Sequence, residues 1–308
     1  MVDRSVISPA ALGLLAMVVA SVTWGLSALF YKVLSPVPPL EVLAHRTIWS
    51  LVFFLSVLGV QGRLTGLARL FSTPKALVPG LIAALLISTN WFGFIFSVQT
   101  ERALEASLGY FIFPLVAVAL GVLIFGERLR RAQAVAVAMA AVAVVGLTLG
   151  LGVAPWIALG LALTFGLYGS VKKASSLGPV MSTAAEVLLL LPLALLWLWG
   201  VHVLGWTGPT GRGGGIFGTD LILSLFLVLA GPMTGLPLLL FSYASQRVGL
   251  IAVGLVQYLN PTLQFAIATL VFGEVLTPWH VGAFALIWAA LAVYSGDTWR
   301  AARRNSLN

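Results

Sequence analysis

Long apolar runs separated by short polar breaks extend over almost the whole chain. An α-helix needs about 20 apolar residues to cross a hydrocarbon core about 30 Å thick, and the runs approach or exceed that length. The breaks are rich in Gly, Pro and charged residues, which favour turns. The pattern therefore predicts an all-α membrane protein whose ten transmembrane helices lie at 10–34, 41–60, 77–98, 102–125, 132–149, 153–173, 178–200, 219–245, 248–272 and 279–296.

The composition indicates a lipid environment for most of the chain. Hydrophobic residues make up 60% of the 308 residues, charged residues make up 8%, and the mean hydropathy is +1.06. A soluble domain carries about 25% charged residues to cover its surface. Because the sequence has no cysteine, a disulfide framework, a cysteine metal site and thiol chemistry are excluded. We expect no cofactor, since the three histidines are dispersed and the sequence lacks an ATP-binding P-loop motif.

The formal net charge of +8 comes mainly from Lys and Arg in the short connections between apolar runs. With the N-terminus in the cytoplasm, thirteen of the 17 Lys and Arg residues fall on the cytoplasmic side, as the positive-inside rule demands. Only Lys32, Arg102 and Arg212 fall outside, and Arg46 lies within a span. This bias predicts a multi-pass protein of the cytoplasmic membrane with both termini inside. Nucleic acid is not an expected partner, because the sequence has no basic stripe with interleaved aromatic residues.

One sequence pattern occurs twice. Residues 113–127 read FPLVAVALGVLIFGE and residues 260–274 read NPTLQFAIATLVFGE, and an offset of 147 joins both their prolines and their Gly-Glu pairs. Because the fourth predicted span runs inwards and the ninth runs outwards, the two copies have opposite orientations. We therefore expect two inverted five-helix repeats, residues 1–150 and 151–308. Inverted repeats are typical of alternating-access carriers with a substrate site near the bilayer midplane.

Ionisable side chains inside spans cost about 2.5–3.5 kcal/mol each to insert, so each is a candidate for function. We expect Arg46 to meet Glu105 near the outer side of the membrane. We expect Glu186 to meet Lys172 or Lys173 near the inner side. Such pairs suit gates or proton-coupling groups, and structural ion pairs that join neighbouring helices are the alternative interpretation.

Two prolines complete the candidate coupling and gating set. Pro114 and Pro261 each remove a backbone hydrogen bond within a predicted span, which kinks or loosens the preceding turn. The freed carbonyls can line a cavity or form a hinge, and a packed kink is the alternative. Gln257, Asn260 and Gln264 recur at helical spacing and share one face, which is expected either to line a wet cavity or to bond another helix.

Polar aromatic and amide side chains fall within the predicted spans rather than only at their rims. Aromatic walls suit an organic substrate better than a bare ion. Together with the intramembrane arginine, these side chains are the candidate substrate-binding residues: Trp24, Arg46, Asn90, Trp91, Tyr110, Tyr168, Tyr243, Gln257, Tyr258, Asn260 and Gln264. We assign no catalytic or metal-binding residue.

Five segments carry a resemblance to a known family. The runs EVLAHRTIWS (41–50), NWFGFIFSV (90–98), LEASLGYFIFPLV (104–116), FGERLRR (125–131) and VQYLNPTLQF (256–265) resemble the RarD group of the EamA-type drug/metabolite transporter superfamily. The resemblance implies ten helices in two inverted repeats, cytoplasmic termini, and a carrier of small metabolites rather than an enzyme. One position departs from the pattern, since Phe113 stands where relatives often carry Asn.

These observations favour a secondary active transporter that exports small polar or zwitterionic metabolites, with a proton or another ion as the coupling partner. It is expected to act as a monomer or a homodimer. The alternatives are an intramembrane enzyme on lipid or prenyl substrates, and a channel. An enzyme needs clustered catalytic groups, whereas the nine acidic residues are scattered. A channel needs rings of like charge or repeated filter carbonyls, and the sequence contains neither.

Overall fold

The structure is a computed structural model, and it describes residues 9–71, 74–126, 130–152, 154–173, 177–245, 247 and 256–305. Within these ranges the chain forms eleven α-helices. They are α1 (Pro9–Val33), α2 (Pro39–Val60), α3 (Leu64–Phe71), α4 (Pro74–Gln99), α5 (Ala103–Phe125), α6 (Arg131–Leu151), α7 (Trp156–Lys173), α8 (Pro179–Leu204), α9 (Leu221–Ser245), α10 (Leu259–Ala266) and α11 (Pro278–Asn305). A π-helical turn, Ile267–Val271, continues α10.

The predicted all-α class is confirmed, and most of the predicted spans are present. Among the described residues, eight helices are long and apolar enough to cross a membrane, compared with the ten predicted. The predicted sixth and ninth spans correspond to shorter apolar helices, Trp156–Lys172 and Leu259–Val271. Residues 248–255 of the ninth predicted span lie outside the described residues. The short amphipathic helix α3 was not predicted, because its eight residues include both apolar and basic side chains.

Two buried glycines bring the central helices together. α1 packs against α9 and α10, and α7 packs against α4 and α5. A Cβ atom added at Gly25 would lie 2.7 Å from Cβ of Leu263, and one added at Gly166 would lie 2.9 Å from Cδ1 of Leu120. Glycine at these two positions therefore permits a backbone approach that any side chain would prevent. The remaining main contacts join α2 to α8 and α9, α4 to α8, α5 to α10, and α6 to α11.

One end of the helix bundle, which we call the loop end, gathers the connections 34–38, 100–102, 205–220 and 272–277. Glu274 joins two of them, because its carboxylate accepts hydrogen bonds from the backbone N–H groups of Ala103 (2.7 Å) and Leu104 (2.8 Å) at the start of α5. Burial raises the pKa of the Glu274 carboxyl, and the two N–H donors offset part of that effect. A carboxylate at a helix N-terminus satisfies donors that the helix leaves free.

The glycines of the two Gly-Glu pairs lie at opposite ends of the bundle. Gly273 precedes the Glu274 carboxylate at the loop end, where α5 begins. Gly126 is the left-handed C-cap of α5, so it lies one 23-residue helix away. At that opposite end Arg130 forms a 3.0 Å ion pair with Asp297. Glu127 lies outside the described residues.

The connection 205–220 between α8 and α9 covers the loop end above α2. The carboxylate of Glu41 is fully buried and accepts hydrogen bonds from the backbone N–H groups of Gly215 and Ile216, both at 2.9 Å. The Phe217 ring then stacks on the His45 ring, with 4.5 Å between the ring centroids. These contacts hold the connection above α2, next to Arg46, which follows His45 in the chain.

The three cations predicted to lie outside the membrane all sit at the loop end. Lys32 pairs with Glu101 at 3.7 Å, and Arg212 donates to Gln99 Oε1 at 2.9 Å and to the carbonyl of Ser35. Arg102 pairs with the carboxylate of Glu105, as described below. The connections of the loop end are thus tied to one another by polar contacts between helices that are distant in sequence.

Candidate functional site

Arg46 lies two turns into α2 with its guanidinium enclosed by aromatic rings. The residue is only 7% exposed. Its Cζ atom lies 4.1 Å from the centroid of the Trp91 ring and 5.5 Å from that of the Tyr31 ring. The Nε donor is buried without a hydrogen-bond partner, and none of the ion pairs among the described residues includes Arg46. The site thus holds a desolvated cation stacked on π-systems, which attract it electrostatically.

A hydrogen-bonded pair lies beside this arginine. Tyr110 donates its hydroxyl to Asn90 Oδ1 at 3.0 Å, and Tyr110 also interacts electrostatically with Arg46. Asn90 is buried and donates through Nδ2 to the carbonyl of Leu161 at 2.9 Å and to Thr164 Oγ1 at 3.1 Å. Because these bonds join α4, α5 and α7, they fix the wall of the site with no polar atom of the asparagine left free.

A second cluster forms around Glu186 on α8. Lys172 Nζ lies 2.6 Å from Glu186 Oε1 and also bonds the hydroxyl of Ser182. The Tyr168 hydroxyl donates to Glu186 Oε2 at 3.0 Å. The structure therefore joins Glu186 to Lys172, one of the two lysines expected at this position. The side chain of Lys173, the other lysine, lies outside the described residues.

Aromatic rings connect the two clusters. The Phe165 ring lies 6.1 Å from the Tyr110 ring and 6.0 Å from the Tyr168 ring, measured between centroids. We call the resulting set the central layer, which consists of Arg46, Trp91, Tyr110, Phe165, Tyr168, Lys172 and Glu186. Its members come from α2, α4, α5, α7 and α8. The layer combines one unpaired cation, one ion pair and a continuous series of rings.

The expected contact between Arg46 and Glu105 is not formed. Glu105 pairs with Arg102 at 2.7 Å, three residues earlier in the chain, at the start of α5. Residues three apart on a helix are neighbours, so the local arginine reaches the carboxylate first. Glu105 therefore belongs to the loop end, outside the central layer.

Two of the predicted aromatic residues also lie apart from the central layer. Tyr243 is 37% exposed near the end of α9, where its ring lies 3.7 Å from Cζ of Arg247. Trp24 packs against Phe241, with 6.2 Å between the ring centroids. Trp24 therefore lies in the contact between α1 and α9, and Tyr243 lies near the end of α9.

The predicted amide face on α10 forms bonds within its own helix. Gln264 Nε2 donates to Asn260 Oδ1 at 2.9 Å, and Gln264 Oε1 is buried without a partner among the described residues. Tyr258 lies near Ser295 of α11, and Gln257 is half-buried. Because the amide bond lies within one helix, the role of this face, as the lining of a wet cavity or as a bond to another helix, stays a prediction.

The two prolines differ in their local structure. Pro114 lies inside α5, where it interrupts the backbone ladder as expected. Pro261 lies in the first turn of α10, because the helix is interrupted at Tyr258. The interruption at Tyr258 lies three residues before Pro261, in the turn that this proline is expected to kink or loosen. The carbonyl of Pro261 accepts a hydrogen bond from Ser107 of α5 at 2.9 Å.

Sequence reasoning missed several residues that shape the site. Tyr31 is 2% exposed and lies near Thr234 of α9, yet it resembles any aromatic residue near the end of a span. Phe165 was hidden among other apolar residues. Glu41 had a usable signal, since it is an acid at the start of a predicted span followed four residues later by a histidine.

No metal site accompanies these residues. Among the described residues, no group of three or more His, Asp or Glu side chains is placed to hold a metal ion. A cavity of about 330 Å³ lies between α2, α4 and α8, and its lining is apolar apart from three hydroxyls and two indoles. None of the predicted site residues lines this cavity. It is therefore distinct from the central layer.

Eight long apolar helices among the described residues indicate a multi-pass membrane protein, and comparisons with known proteins place it among transporters. Residues 11–149 match the model of the EamA-like transporter family. The protein RarD of Streptomyces exfoliatus is 42% identical over 92% of this chain and 87% of its own length. An uncharacterized transporter of Pseudomonas aeruginosa is 40% identical over 92% of this chain and 93% of its own. The chain therefore belongs to the EamA-like transporter family, within the RarD group.

Two further comparisons agree with this membership. The protein RarD of Escherichia coli is 36% identical over 96% of this chain and 97% of its own length. A solved crystal structure shares the fold with a TM-score of 0.58, at 21% identity, over 91% of this chain and 96% of the other. At that identity the likeness concerns the fold alone.

Proposed function

We propose that this chain is a secondary active transporter that exports small polar or zwitterionic metabolites across the cytoplasmic membrane by alternating access. In this proposal ten helices form two inverted halves, residues 1–150 and 151–308, with both termini in the cytoplasm. The loop end faces outwards, and the cargo binds in the central layer between the halves. Family membership supports the class, and the following contacts support the mechanism.

Matching helix contacts support the inverted halves. Gly25 of α1 contacts Leu263, two residues after Pro261, and an added Cβ at Gly166 of α7 would lie 3.2 Å from Val116, two residues after Pro114. In the proposed halves α1 corresponds to α7, and α5 corresponds to α10. The contact of α1 with α10 therefore matches the contact of α7 with α5. The contacts of α1 with α9 and of α7 with α4 match in the same way. Gly126 and Gly273 lie at opposite ends, as inverted copies require.

The observation that carries the proposal is the buried, unpaired guanidinium of Arg46, which lies among aromatic rings of α1 and α4 on a helix that packs against α8 of the other proposed half. A structural arginine at this depth is normally paired, because an uncompensated buried charge costs several kcal/mol. A cost of this kind is typical of functional sites, where stability is lost in return for binding. The rings of Trp91 and Tyr110 suit an organic cargo.

The cluster of Glu186, Lys172 and Tyr168 is the proposed coupling site. A carboxylate with a lysine and a phenol as partners can exchange a proton when the pairs rearrange between two conformations. Its neighbours on α8 and α7 belong to the same central layer as Arg46, so loading of cargo and loading of a proton would act on the same helices. A structural ion pair is the alternative, and it predicts that uptake driven by a pH gradient is undiminished in Glu186→Gln.

Counterflow in proteoliposomes tests the proposed function. Purified protein is reconstituted, the vesicles are preloaded with one unlabelled amino acid or organic acid at a time, and uptake of the labelled compound is followed. A carrier gives saturable, transient accumulation of at least one compound, which the empty vesicles lack. A channel gives conductance without counterflow, and an intramembrane enzyme gives a chemical product instead. Either of those results would refute the proposal.

A further inference from the structure

The two buried charges of the central layer occupy matching positions in the two proposed halves. Arg46 lies seven residues after Pro39, the first residue of α2, and Glu186 lies seven residues after Pro179, the first residue of α8. The two helices pack directly against each other. One half therefore carries a cation at the position where the other half carries an anion.

The side chains that contact these charges match as well. Tyr31 lies six residues after Gly25 on α1, and Lys172 lies six residues after Gly166 on α7. The Tyr31 ring centroid lies 5.5 Å from the guanidinium carbon of its arginine, whereas Lys172 Nζ lies 2.6 Å from the carboxylate oxygen of its glutamate. The second half thus contains a closed ion pair, and the first half has a neutral phenol where the countercharge would be.

Arg46 therefore lacks a countercharge in the part of the chain that the structure describes. The contacts with the Trp91 and Tyr31 rings compensate only part of the desolvation of the guanidinium. Its buried Nε–H has no acceptor. The planar guanidinium binds a carboxylate through two parallel hydrogen bonds, which is the arrangement that would satisfy both its charge and its donors.

We propose that Arg46 is an anion subsite and that the cargo is a small monocarboxylate with an apolar or aromatic body. This inference rests on the proposed transport function and replaces the zwitterionic part of its proposed cargo with compounds that carry one net negative charge. The carboxylate supplies the countercharge that the first half lacks. The rings of Trp91, Tyr31 and Tyr110 pack against the body of the cargo.

The charges of the central layer also disfavour a cationic or zwitterionic cargo. Arg46 and Lys172 are cations and Glu186 is an anion, so one positive charge is uncompensated. An ammonium group would require a free carboxylate, whereas Glu186 already bonds Lys172 and Tyr168. A monoanion brings the layer to neutrality without breaking that pair.

Three probes with one shared phenyl ring test the sign of the charge. The thermal unfolding midpoint of the purified protein in detergent is measured with benzoate, phenylalanine and benzylamine. Ligand that binds only the folded protein raises this midpoint by mass action. Benzoate is expected to bind at least about tenfold more tightly than phenylalanine or benzylamine, since a charge-assisted pair is gained only by the anion. No response to benzoate, or an equal response to the three probes, overturns the proposal.

Arg46→Gln locates the effect at the proposed subsite. Benzoate affinity is expected to fall at least about tenfold in this variant, because the charged donors are lost. Arg63→Gln is the matched control, since it removes the same charge from an exposed connection after α2, and its benzoate affinity is expected to equal that of the unmodified protein. Unchanged benzoate binding in Arg46→Gln overturns the proposal.

A third variant needs no knowledge of the natural cargo. Tyr31→Glu recreates in the first half the ion pair of the second half, so it should raise the unfolding midpoint of the ligand-free protein and abolish benzoate binding. In Tyr31→Gln the glutamine side chain has nearly the same size as glutamate but no charge. The unfolding midpoint of Tyr31→Gln should therefore lie below that of Tyr31→Glu. A lower midpoint for the glutamate variant than for the glutamine variant contradicts an unmatched cation at Arg46.

The binding measurements are independent of vesicle transport. Arg46-dependent benzoate binding without counterflow would leave the anion subsite standing and refute the transporter proposal. Counterflow of some compound by a protein whose benzoate binding is absent or insensitive to Arg46→Gln would refute the anion subsite alone.

Discussion

Glu41 is the buried carboxylate on which the order of the loop end depends. It has no exposed surface, and its oxygens accept hydrogen bonds from Gly215 and Ile216 N–H, with a longer contact to Phe217 N–H at 3.4 Å. Hydrogen bonds to a charged group each contribute about 1.5–3 kcal/mol to stability.

Glu41→Ala is therefore expected to destabilise the protein by about 2–4 kcal/mol, since at least two half-buried backbone N–H groups lose a charged acceptor. The measurement is the unfolding midpoint in detergent, with limited proteolysis of residues 205–220 as a local probe. Glu41→Gln keeps one acceptor oxygen and should lose about half as much. Equal stability of all three proteins would contradict this account of the loop end.

Glu186 is the residue at which proton coupling is predicted. Glu186→Gln keeps the size and the bond to Tyr168 but removes the group that can exchange a proton. Uptake driven by a pH gradient should be abolished, whereas counterflow, which needs no gradient, should continue. Proteoliposomes with and without a pH gradient give both rates. Undiminished pH-driven uptake in the variant would remove Glu186 from this role.

At the scale of single residues, sequence predicted chemical types better than contacts. Arg46, Asn90, Trp91 and Tyr110 could be singled out because polar groups inside apolar helices are costly and rare. Glu105 was assigned to the wrong partner, because depth along a helix does not reveal its rotation or a nearer arginine. Such competition between neighbours is decided only by the folded geometry.

At the scale of elements, close packing of α1 on α10 and of α7 on α5 depends on glycine. The approach at Gly25 leaves an added Cβ 2.7 Å from Leu263 Cβ and 3.2 Å from the Asn260 carbonyl oxygen. Real Cβ atoms do not approach other atoms so closely, so the helices would have to separate.

Gly25→Ala is expected to lower the stability of the protein by about 1–3 kcal/mol through this overpacking. Gly146→Ala is the matched control, because no atom lies within 4 Å of a Cβ at that position in α6. Alanine there should be neutral or stabilising by up to about 1 kcal/mol, since it favours the helix. Unfolding midpoints that rank the two variants in the reverse order would contradict the close contact.

Glu274 gives the loop end a dependence on pH. Burial raises the pKa of this carboxyl above its ordinary value of 4.5, so the folded protein holds the proton more tightly than the unfolded chain. Its contribution to stability is fully present below pH 4.5 and is lost as the pH rises through the raised pKa. Glu274→Gln should remove this part of the pH dependence while keeping an acceptor for Ala103 N–H.

The check is the unfolding midpoint of both proteins between pH 4.5 and neutral pH. The difference between the unmodified protein and Glu274→Gln should shift in favour of the glutamine variant as the pH rises. A difference that is constant with pH would show that Glu274 does not titrate differently on folding.

Helix positions were largely predictable because apolar length is a direct consequence of bilayer thickness. The start of α7 was predicted three residues early. Gly152 ends α6 in a left-handed conformation, and α7 begins at Trp156, directly after Pro155. The interruption at Tyr258 lies in the turn before Pro261, where the sequence predicts a loosened helix. The π-helical turn Ile267–Val271 carried no sequence signal, because its residues are nearly as apolar as those of a regular helix.

For the molecule as a whole, the proposed transport mechanism depends on two halves of opposite orientation that share one polar layer. The close approaches at Gly25 and Gly166 agree with this arrangement, and so do the positions of Gly126 and Gly273 at opposite ends of the bundle. The matched positions of Arg46 and Glu186 follow from the same arrangement. An inverted pair lets one substrate site face either side of the membrane in turn.

The most direct test of these inverted halves is the sidedness of two single cysteines, because the natural sequence has none. Val275→Cys lies at the loop end after Gly273, and Arg131→Cys lies at the start of α6 after Gly126. A membrane-impermeant maleimide should label Val275→Cys in intact cells and Arg131→Cys only after the membrane is permeabilised. Labelling of both cysteines from the same side would contradict the inverted halves and, with them, the proposed transport mechanism.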